Sequence, residues 1–376
     1  MTSNKRLNLA FCLFKYFPFG GLQVNFMNIA KECMARGHKV TAFTMSWEGD
    51  RPKGLEILLV SVPGISNHAR YHAFANWVQE HVRQENFDGV VGFNRMPGLD
   101  VYYGADGSYA AKMMKRNRVY RYTPRYRTLM AMERSVYHKD AATQILLLTE
   151  KEKSFYTEYY GTGPERFHLM PPGISKDCLP PPNADEIGRL KRETLGIGQD
   201  KIVMLMVCSN FKIKGVARAI RAMAVLPPEV MKNTVLLVAG KDKPWYYICL
   251  ARRMKVMDRV LFIGARDDVP DLLRTADFLI HPASVENTGS VIVEALAANV
   301  PVLTTDDCGY AFHVIQADGG IVVDSPFNQE ELNRALVCML TSGQADQWRA
   351  NCKTYIEHTD IFSRAQKAAD VIEKVV

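Results

Sequence analysis

His281-Pro282-Ala283-Ser284-Val285-Glu286-Asn287-Thr288-Gly289-Ser290-Val291-Ile292-Val293-Glu294-Ala295-Leu296 is the stretch around which the rest of the chain is organised. Phe278-Leu279-Ile280, just before it, is a short apolar run of the buried-strand type. Pro282 ends that run. Asn287-Thr288-Gly289 offers the residue types that cap a helix N-terminus. Val291, Ile292, Ala295 and Leu296 then share one helical face. Asn299 and Pro301 stop the helix. The reading is strand, loop, helix.

Glu286 and Glu294 stand eight residues apart in this unit, one in the loop and one inside the helix. A helix N-terminus carries about +0.5 of a charge and suits an anionic diphosphate. Carboxylates accept hydrogen bonds from sugar hydroxyls. One loop of this kind fits a nucleotide-sugar. It also fits a plain helix start with an acidic first turn.

The alternation of strand and helix extends both ways. Upstream, Leu7 to Phe14 reads as a strand and Phe19-Gly20-Gly21 as a tight turn. A helix follows from about Leu22 to Arg36, then Gly37 and a strand from His38 to Thr44. This βαβ unit implies a parallel sheet. A helix over about 71–84 and strands at 89–93, 101–106 and 143–149 continue the theme. Downstream, strands are expected at 203–207, 234–239, 260–263, 278–280 and 301–304. Proline clusters at Pro171-Pro172 and Pro180-Pro181-Pro182 mark a linker. The expected domains are 1–170, with an insert at 108–137, and 171–355, followed by a terminal segment 356–376. At 376 residues the chain suits two domains.

Composition excludes several classes. Hydrophobic content of 47% and charged content of 23% fit a globular protein. No window reaches the ~18 apolar residues of a membrane span. Lys5-Arg6 and the apolar run after it imitate a signal peptide, but Lys15 interrupts the run and no small-residue cleavage site follows. The expectation is a buried first strand and a cytoplasmic protein. The eight cysteines form no Cys-x-x-Cys pair and read as reduced core thiols. No G-x-G-x-x-G, P-loop or Asp-x-Asp motif occurs.

Ser108 to Tyr137 departs from this background. Lys112, Lys115, Arg116, Arg118, Arg121, Arg125, Arg127 and Arg134 face one acid, Glu133. The local balance of +7 equals the formal charge of the whole chain. Tyrosines and methionines are interleaved. Such a segment suits an anionic membrane surface, an RNA, or water.

The pattern His-Pro-x5-Asn-x-Gly-x4-Glu-Ala, with Glu-x7-Glu, resembles the signature of retaining glycosyltransferases of family 4. A closer similarity, to the glucosyltransferases of lipopolysaccharide inner-core heptose, is carried by four strings: Lys15-Tyr16-Phe17-Pro18-Phe19-Gly20-Gly21-Leu22-Gln23, Ser46-Trp47-Glu48-Gly49-Asp50, Gly92-Phe93-Asn94-Arg95-Met96-Pro97-Gly98-Leu99-Asp100-Val101-Tyr102 and Cys308-Gly309-Tyr310-Ala311. The resemblance implies a GT-B fold, two Rossmann-like domains facing a cleft, with residues 356–376 as a terminal helix returning to the N-terminal domain. It implies transfer of glucose from UDP-glucose to an inner-core heptose, with an α-1,3 linkage and retention, at the cytoplasmic face of the inner membrane. A different nucleotide-sugar or glycolipid acceptor is the alternative within enzymes. A basic RNA- or lipid-binding protein is the alternative outside them.

The resemblance also assigns residues. Glu286 holds hexose hydroxyls, with Asn287, Thr288 and Gly289 offering N–H groups, and Glu294 holds the ribose diol. Lys214, in Ser209-Asn210-Phe211-Lys212-Ile213-Lys214-Gly215, neutralises the diphosphate. The family's accompanying Arg is absent there, and Lys212 is the substitute on offer. Arg266 sits where the base is read. Gly20 and Gly21 face the donor, and Asp106 stands close to the reacting sugar. Neither a metal nor another cofactor is expected, and nucleic acid is not an expected partner. Lys112, Lys115, Arg116, Arg118, Arg121, Arg125 and Arg127 are expected to meet anionic inner-membrane lipids.

Overall fold

The structure is a computed structural model and describes residues 5–18, 20–114 and 116–376. The chain divides into two compact units, residues 1–173 with 363–376, and residues 174–362. Each is built on one parallel sheet.

The first unit holds seven strands: β1 Asn8–Cys12, β2 Lys39–Thr44, β3 Glu56–Leu59, β4 Gly89–Gly92, β5 Val101–Gly104, β6 Gln144–Leu147 and β7 Phe167–Leu169. Their spatial order is β3-β2-β1-β4-β5-β6-β7. Alternation along β1 explains the two cores. Leu9 and Phe11 join a cluster with Val40, Ile29 and Ile372 on one face. Ala10 and Cys12 join Phe43, Phe74 and Val136 on the other. A strand buried on both faces reads as an unbroken apolar run, which is why β1 stands out in the sequence.

The second unit holds six: β8 Ile202–Val207, β9 Thr234–Ala239, β10 Val260–Gly264, β11 Phe278–His281, β12 Val302–Thr305 and β13 Gly320–Val323. Their order is β10-β9-β8-β11-β12-β13. Val203 and Leu205 face one core and Met204 and Met206 the other. The order turns back beside β8 and β11, so the loops after these two strands lie side by side. In open parallel sheets such a reversal is where ligands bind.

Two local expectations need correction, and a third is made specific. The 20–21 region is not a tight glycine turn. Gly20 is the N-cap of the helix Gly21–Ala35, with φ of −91° and ψ of 136°, which any residue adopts. The helix expected over 71–84 begins at Asn67, because the Ser66 side chain accepts a hydrogen bond from the Ala69 N–H and starts it a turn earlier. Of the three capping candidates 287–289 before the helix that follows β11, Gly289 is the N-cap, in the left-handed region, φ 83°. All eight cysteines are free thiols, and six are buried.

Candidate active site

Two loops of the second unit meet at the C-terminal ends of β8 and β11. The first carries Lys212 and Lys214. Its backbone is pinned by Asp242, whose carboxylate accepts from the Phe211 N–H at 2.7 Å. Gly215 starts the helix Val216–Met223 at φ 79°, and a Cβ there would lie 2.0 Å from the Pro282 carbonyl oxygen. Only glycine permits this approach. It seats Lys214 against the second loop. Ser284 N–H donates to the Ile213 carbonyl at 2.8 Å, which fastens the two loops together.

The second loop is braced from its other side. Glu286 N–H donates to Asp307 O at 3.2 Å, Gly309 N–H to Glu286 O at 3.0 Å and Tyr310 N–H to Thr288 O at 2.8 Å. The Glu286 backbone is therefore held, and its carboxylate forms an ion pair with the Lys214 ammonium. Both side chains are less than one-fifth exposed. Burial pulls the Lys214 pKa below its ordinary value. Contact with a carboxylate works the other way and favours the charged ammonium.

His281 lies beside this pair, 1% exposed, with Nε2 3.9 Å from Glu286 Oε2. Neither ring nitrogen has a hydrogen-bond partner. Burial, aided by the Lys214 charge, pushes its pKa down to about 3, so the ring is neutral. Glu294 sits inside the helix Ser290–Ala297, with its pKa raised by burial and partly offset by a hydrogen bond with Ser290. Arg266 is exposed, and its Nε donates to Asp268 Oδ1 at 2.7 Å. Asp268 also takes Lys191 at 2.5 Å. Lys212 points to the exposed side of its loop.

The structure thus brings Lys214 and Glu286 into contact and sets the Ser290–Ala297 helix start beside them. Two neighbours escaped the sequence reading. His281 was visible in the His-Pro pair, but nothing local indicates that its ring stays unpartnered. Arg218, one turn into the next helix, donates to the Pro282 and Ala283 carbonyls at 3.2 and 3.0 Å and stacks 3.5 Å over the Phe327 ring. Among the described residues, no three His, Cys, Asp or Glu side chains gather as a metal set.

Gly20, Gly21 and Asp106 belong to the first unit. Gly20 and Gly21 start the first helix. Asp106 is exposed, just after β5. Its backbone is held by Arg95, whose guanidinium donates to the carbonyls of Asp106 at 2.5 Å and Gly107 at 2.8 Å. Arg95 also forms an ion pair with Glu133, which is fully buried. Glu133 accepts from Tyr109 N–H, Ala110 N–H, Ser108 Oγ and Tyr160 hydroxyl, at 2.5 to 3.1 Å. The single acid of the basic segment is therefore its internal anchor. Its signal in the sequence is the apolar company of Met132, Val136 and Tyr137, all buried with it.

The segment itself is two helices, Tyr109–Met114 and Pro124–Tyr137, joined through a short 3-10 turn at Arg118–Tyr122. Lys112, Arg116, Arg118, Arg121, Arg125 and Arg127 are all exposed. So are Met114, Val119 and Tyr122, at 52%, 70% and 75%. Lys115 lies outside the described residues.

Comparison with known proteins agrees with this geometry. Residues 19–177 match the model of Glycosyltransferase Family 4, and residues 189–358 that of Glycosyl transferases group 1. Lipopolysaccharide glucosyltransferase WaaG of Escherichia coli K12 is 44% identical over 369 residues, 97% of this chain and 98% of that one. A crystal structure of WaaG, described as a glycosyltransferase involved in lipopolysaccharide biosynthesis, superposes with a TM-score of 0.90 over 97% of this chain and 99% of that one. Anabaena Alr3699/HepE, solved with UDP-glucose, shares the fold alone, at 18% identity and a TM-score of 0.73 over 98% and 100% of the two chains. The two parallel sheets are those of a GT-B enzyme, which settles the choice between an enzyme and a binding protein, and the chain belongs to the WaaG family of glycosyltransferases.

Proposed function

We propose that the protein moves glucose from UDP-glucose to the inner-core heptose of lipopolysaccharide, forming an α-1,3 linkage with retention at C1 and without a metal ion. The observation that carries this reading is the Lys214–Glu286 pair beside the Ser290–Ala297 helix start. It joins a cation and helix N–H groups, which suit a diphosphate, to a carboxylate, which suits sugar hydroxyls. The identity of 44% to a lipopolysaccharide glucosyltransferase supports the choice of acceptor and of glucose.

The chemistry follows from charge. As the C1–O bond to the diphosphate breaks, negative charge grows on the leaving oxygen. Lys214 and the helix N-terminus stabilise it, an effect largest in the transition state. Glu286 holds the hexose. Glu294 takes the ribose hydroxyls. The acceptor hydroxyl attacks C1 from the face that the diphosphate leaves, and a phosphate oxygen takes its proton. Asp106 lies at the end of β5, the position given to an acidic residue near the reacting sugar.

The acceptor is anchored in lipid, and the exposed basic residues of 108–137 suit the cytoplasmic leaflet of the inner membrane. Met114, Val119 and Tyr122 among them would enter the interface while the basic groups meet anionic headgroups. No helix of the described residues is long and apolar enough to cross a membrane. A panel of nucleotide-sugars, each incubated with heptose-terminated lipopolysaccharide, tests the reading. Transfer of glucose from UDP-glucose with an α-configured product is expected. Preference for another donor, or product with inverted configuration, would overturn it.

A further inference from the structure

The Lys214–Glu286 pair poses a problem once a donor binds. In the free protein the two charges neutralise one another. A nucleoside diphosphate at Lys214 competes for the ammonium with more than one negative charge. Glu286 is then a carboxylate with 16% exposure that has lost its cation. A buried carboxylate without compensating donors is costly. Its backbone is tied to 307–309 on both sides, so it meets this change by side-chain rotation alone.

His281 also lies near that carboxylate, its Nε2 3.9 Å away. That distance is too long for a hydrogen bond, but a rotation within Glu286 closes it. No side chain of residue 289 stands between them, because that residue is glycine. A Cβ there would lie 3.3 Å from Glu286 Cγ and 3.8 Å from His281 Nε2. The imidazole is completely enclosed, and both of its nitrogens lack partners. An enclosed polar group without partners is rare in a folded protein.

We propose that His281 is a positioning residue of the donor site: its Nε2–H takes up the Glu286 carboxylate when Lys214 turns to the donor diphosphate, leaving the other carboxylate oxygen aimed at the sugar hydroxyls. The inference rests on the placement of the donor at Lys214 given above. A neutral ring suits the task. It always carries one N–H, and it adds no cation that would hold Glu286 permanently or compete for the phosphates. The pKa of about 3 keeps it neutral through the working range.

The test compares a sugar-bearing ligand with a sugar-free one. Calorimetric affinities for UDP and UDP-glucose are measured on the full chain carrying His281→Leu, His281→Met, His281→Gln or Lys214→Ala, with melting temperatures for each. Two apolar replacements are used so that a folding failure in one does not decide the outcome. With UDP the hexose position is left to water, which solvates the Glu286 carboxylate, so the apolar variants should bind UDP as wild type does. With UDP-glucose the hexose shuts that water out, and they should bind it about tenfold more weakly, the scale of one lost hydrogen bond to a charged group. His281→Gln, which offers an N–H near the Nε2 position, should restore UDP-glucose affinity to within about threefold. Equal affinities for UDP-glucose in all His281 variants would overturn the proposal. So would a parallel loss of both ligands, which marks a structural role, or a failure of Gln to rescue. Lys214→Ala reports on the donor placement separately: it should weaken UDP itself, and unchanged UDP affinity would remove that placement and the role of His281 with it.

Discussion

The Arg95 guanidinium couples the buried Glu133 carboxylate to the backbone carbonyls of Asp106 and Gly107. One charge pair thus fixes both the start of the basic segment and the loop that carries Asp106. Removing one partner strands the other charge out of water. Glu133→Ala should cost about 3 kcal/mol or more of stability. The Arg95→Ala, Glu133→Ala double variant should cost less than the sum of the singles. Urea unfolding of the four proteins measures both. Additive losses would show that the two side chains do not act as a unit.

Lys214 and Glu294 should separate in kinetics. Lys214→Ala should lower kcat by roughly 100-fold, because leaving-group charge develops in the transition state. Glu294→Ala should mainly weaken donor binding, by about 1–3 kcal/mol for a lost buried hydrogen-bonding group. Steady-state kinetics with UDP-glucose decides. Wild-type turnover in both variants would sink the assignment.

The proposed charge stabilisation by Lys214 and a helix N-terminus would need no divalent ion, and the sequence has no Asp-x-Asp motif. Transfer should proceed at an undiminished rate in excess EDTA. A rate that vanishes with the chelator and returns with Mg²⁺ or Mn²⁺ would refute this.

The basic segment should hold the enzyme on anionic liposomes, each charge adding about 1 kcal/mol at most. Binding should weaken as added salt brings the screening length below ~10 Å. Replacing Arg116, Arg118, Arg121 and Arg125, all exposed, with Ser should release the protein. Donor hydrolysis should survive, since Lys214 and Glu286 lie in the other unit. Co-sedimentation equal to wild type would make this surface a solvated face or a nucleic-acid patch.

Acid should weaken the second unit through buried histidines. Burial pushes His313 down to about 4 from its ordinary 6.5. The unfolded chain therefore binds the proton more readily than the folded one. Stability from this group is complete above pH 6.5 and is lost as pH falls towards 4, at no more than about 1.4 kcal/mol per pH unit. His313→Asn should flatten the fall in urea midpoint across that window. An unchanged slope would place the sensitivity elsewhere.

The fold was largely legible because most strands are covered on both faces. Val203 to Val207 and Val235 to Ala239 are unbroken apolar runs with few alternatives. The strands that escaped are β3, β7 and β13, and each is an outermost strand of its sheet. Glu56–Leu59 and Phe167–Leu169 are half-open to water and mix polar with apolar residues. The edge strand β10 was found because it stays apolar. At the site, Glu286 and Lys214 were visible through motif spacing. Arg95 and Glu133 were not, because their meaning depends on partners 38 residues apart. The cap of the key helix was located to 287–289, but which of the three takes it depends on backbone geometry, where Gly289 alone adopts the left-handed conformation.

The helix Arg364–Val375 packs into the first unit, although it follows the second in the chain. Ala368, Ala369 and Ile372 are fully enclosed there. Arg364 donates to Pro171 O at 2.7 Å, to Asn25 Oδ1 at 2.9 Å and to the Tyr103 hydroxyl at 3.0 Å. On the ribosome, the unit translated first is thus the last to be completed. Its sheet carries a bare apolar strip until residues 174–362 have emerged. A nascent chain stalled within that span exposes the strip to chaperones, and a protease that clips residues 363–376 unseals the N-terminal unit rather than the one beside the cut.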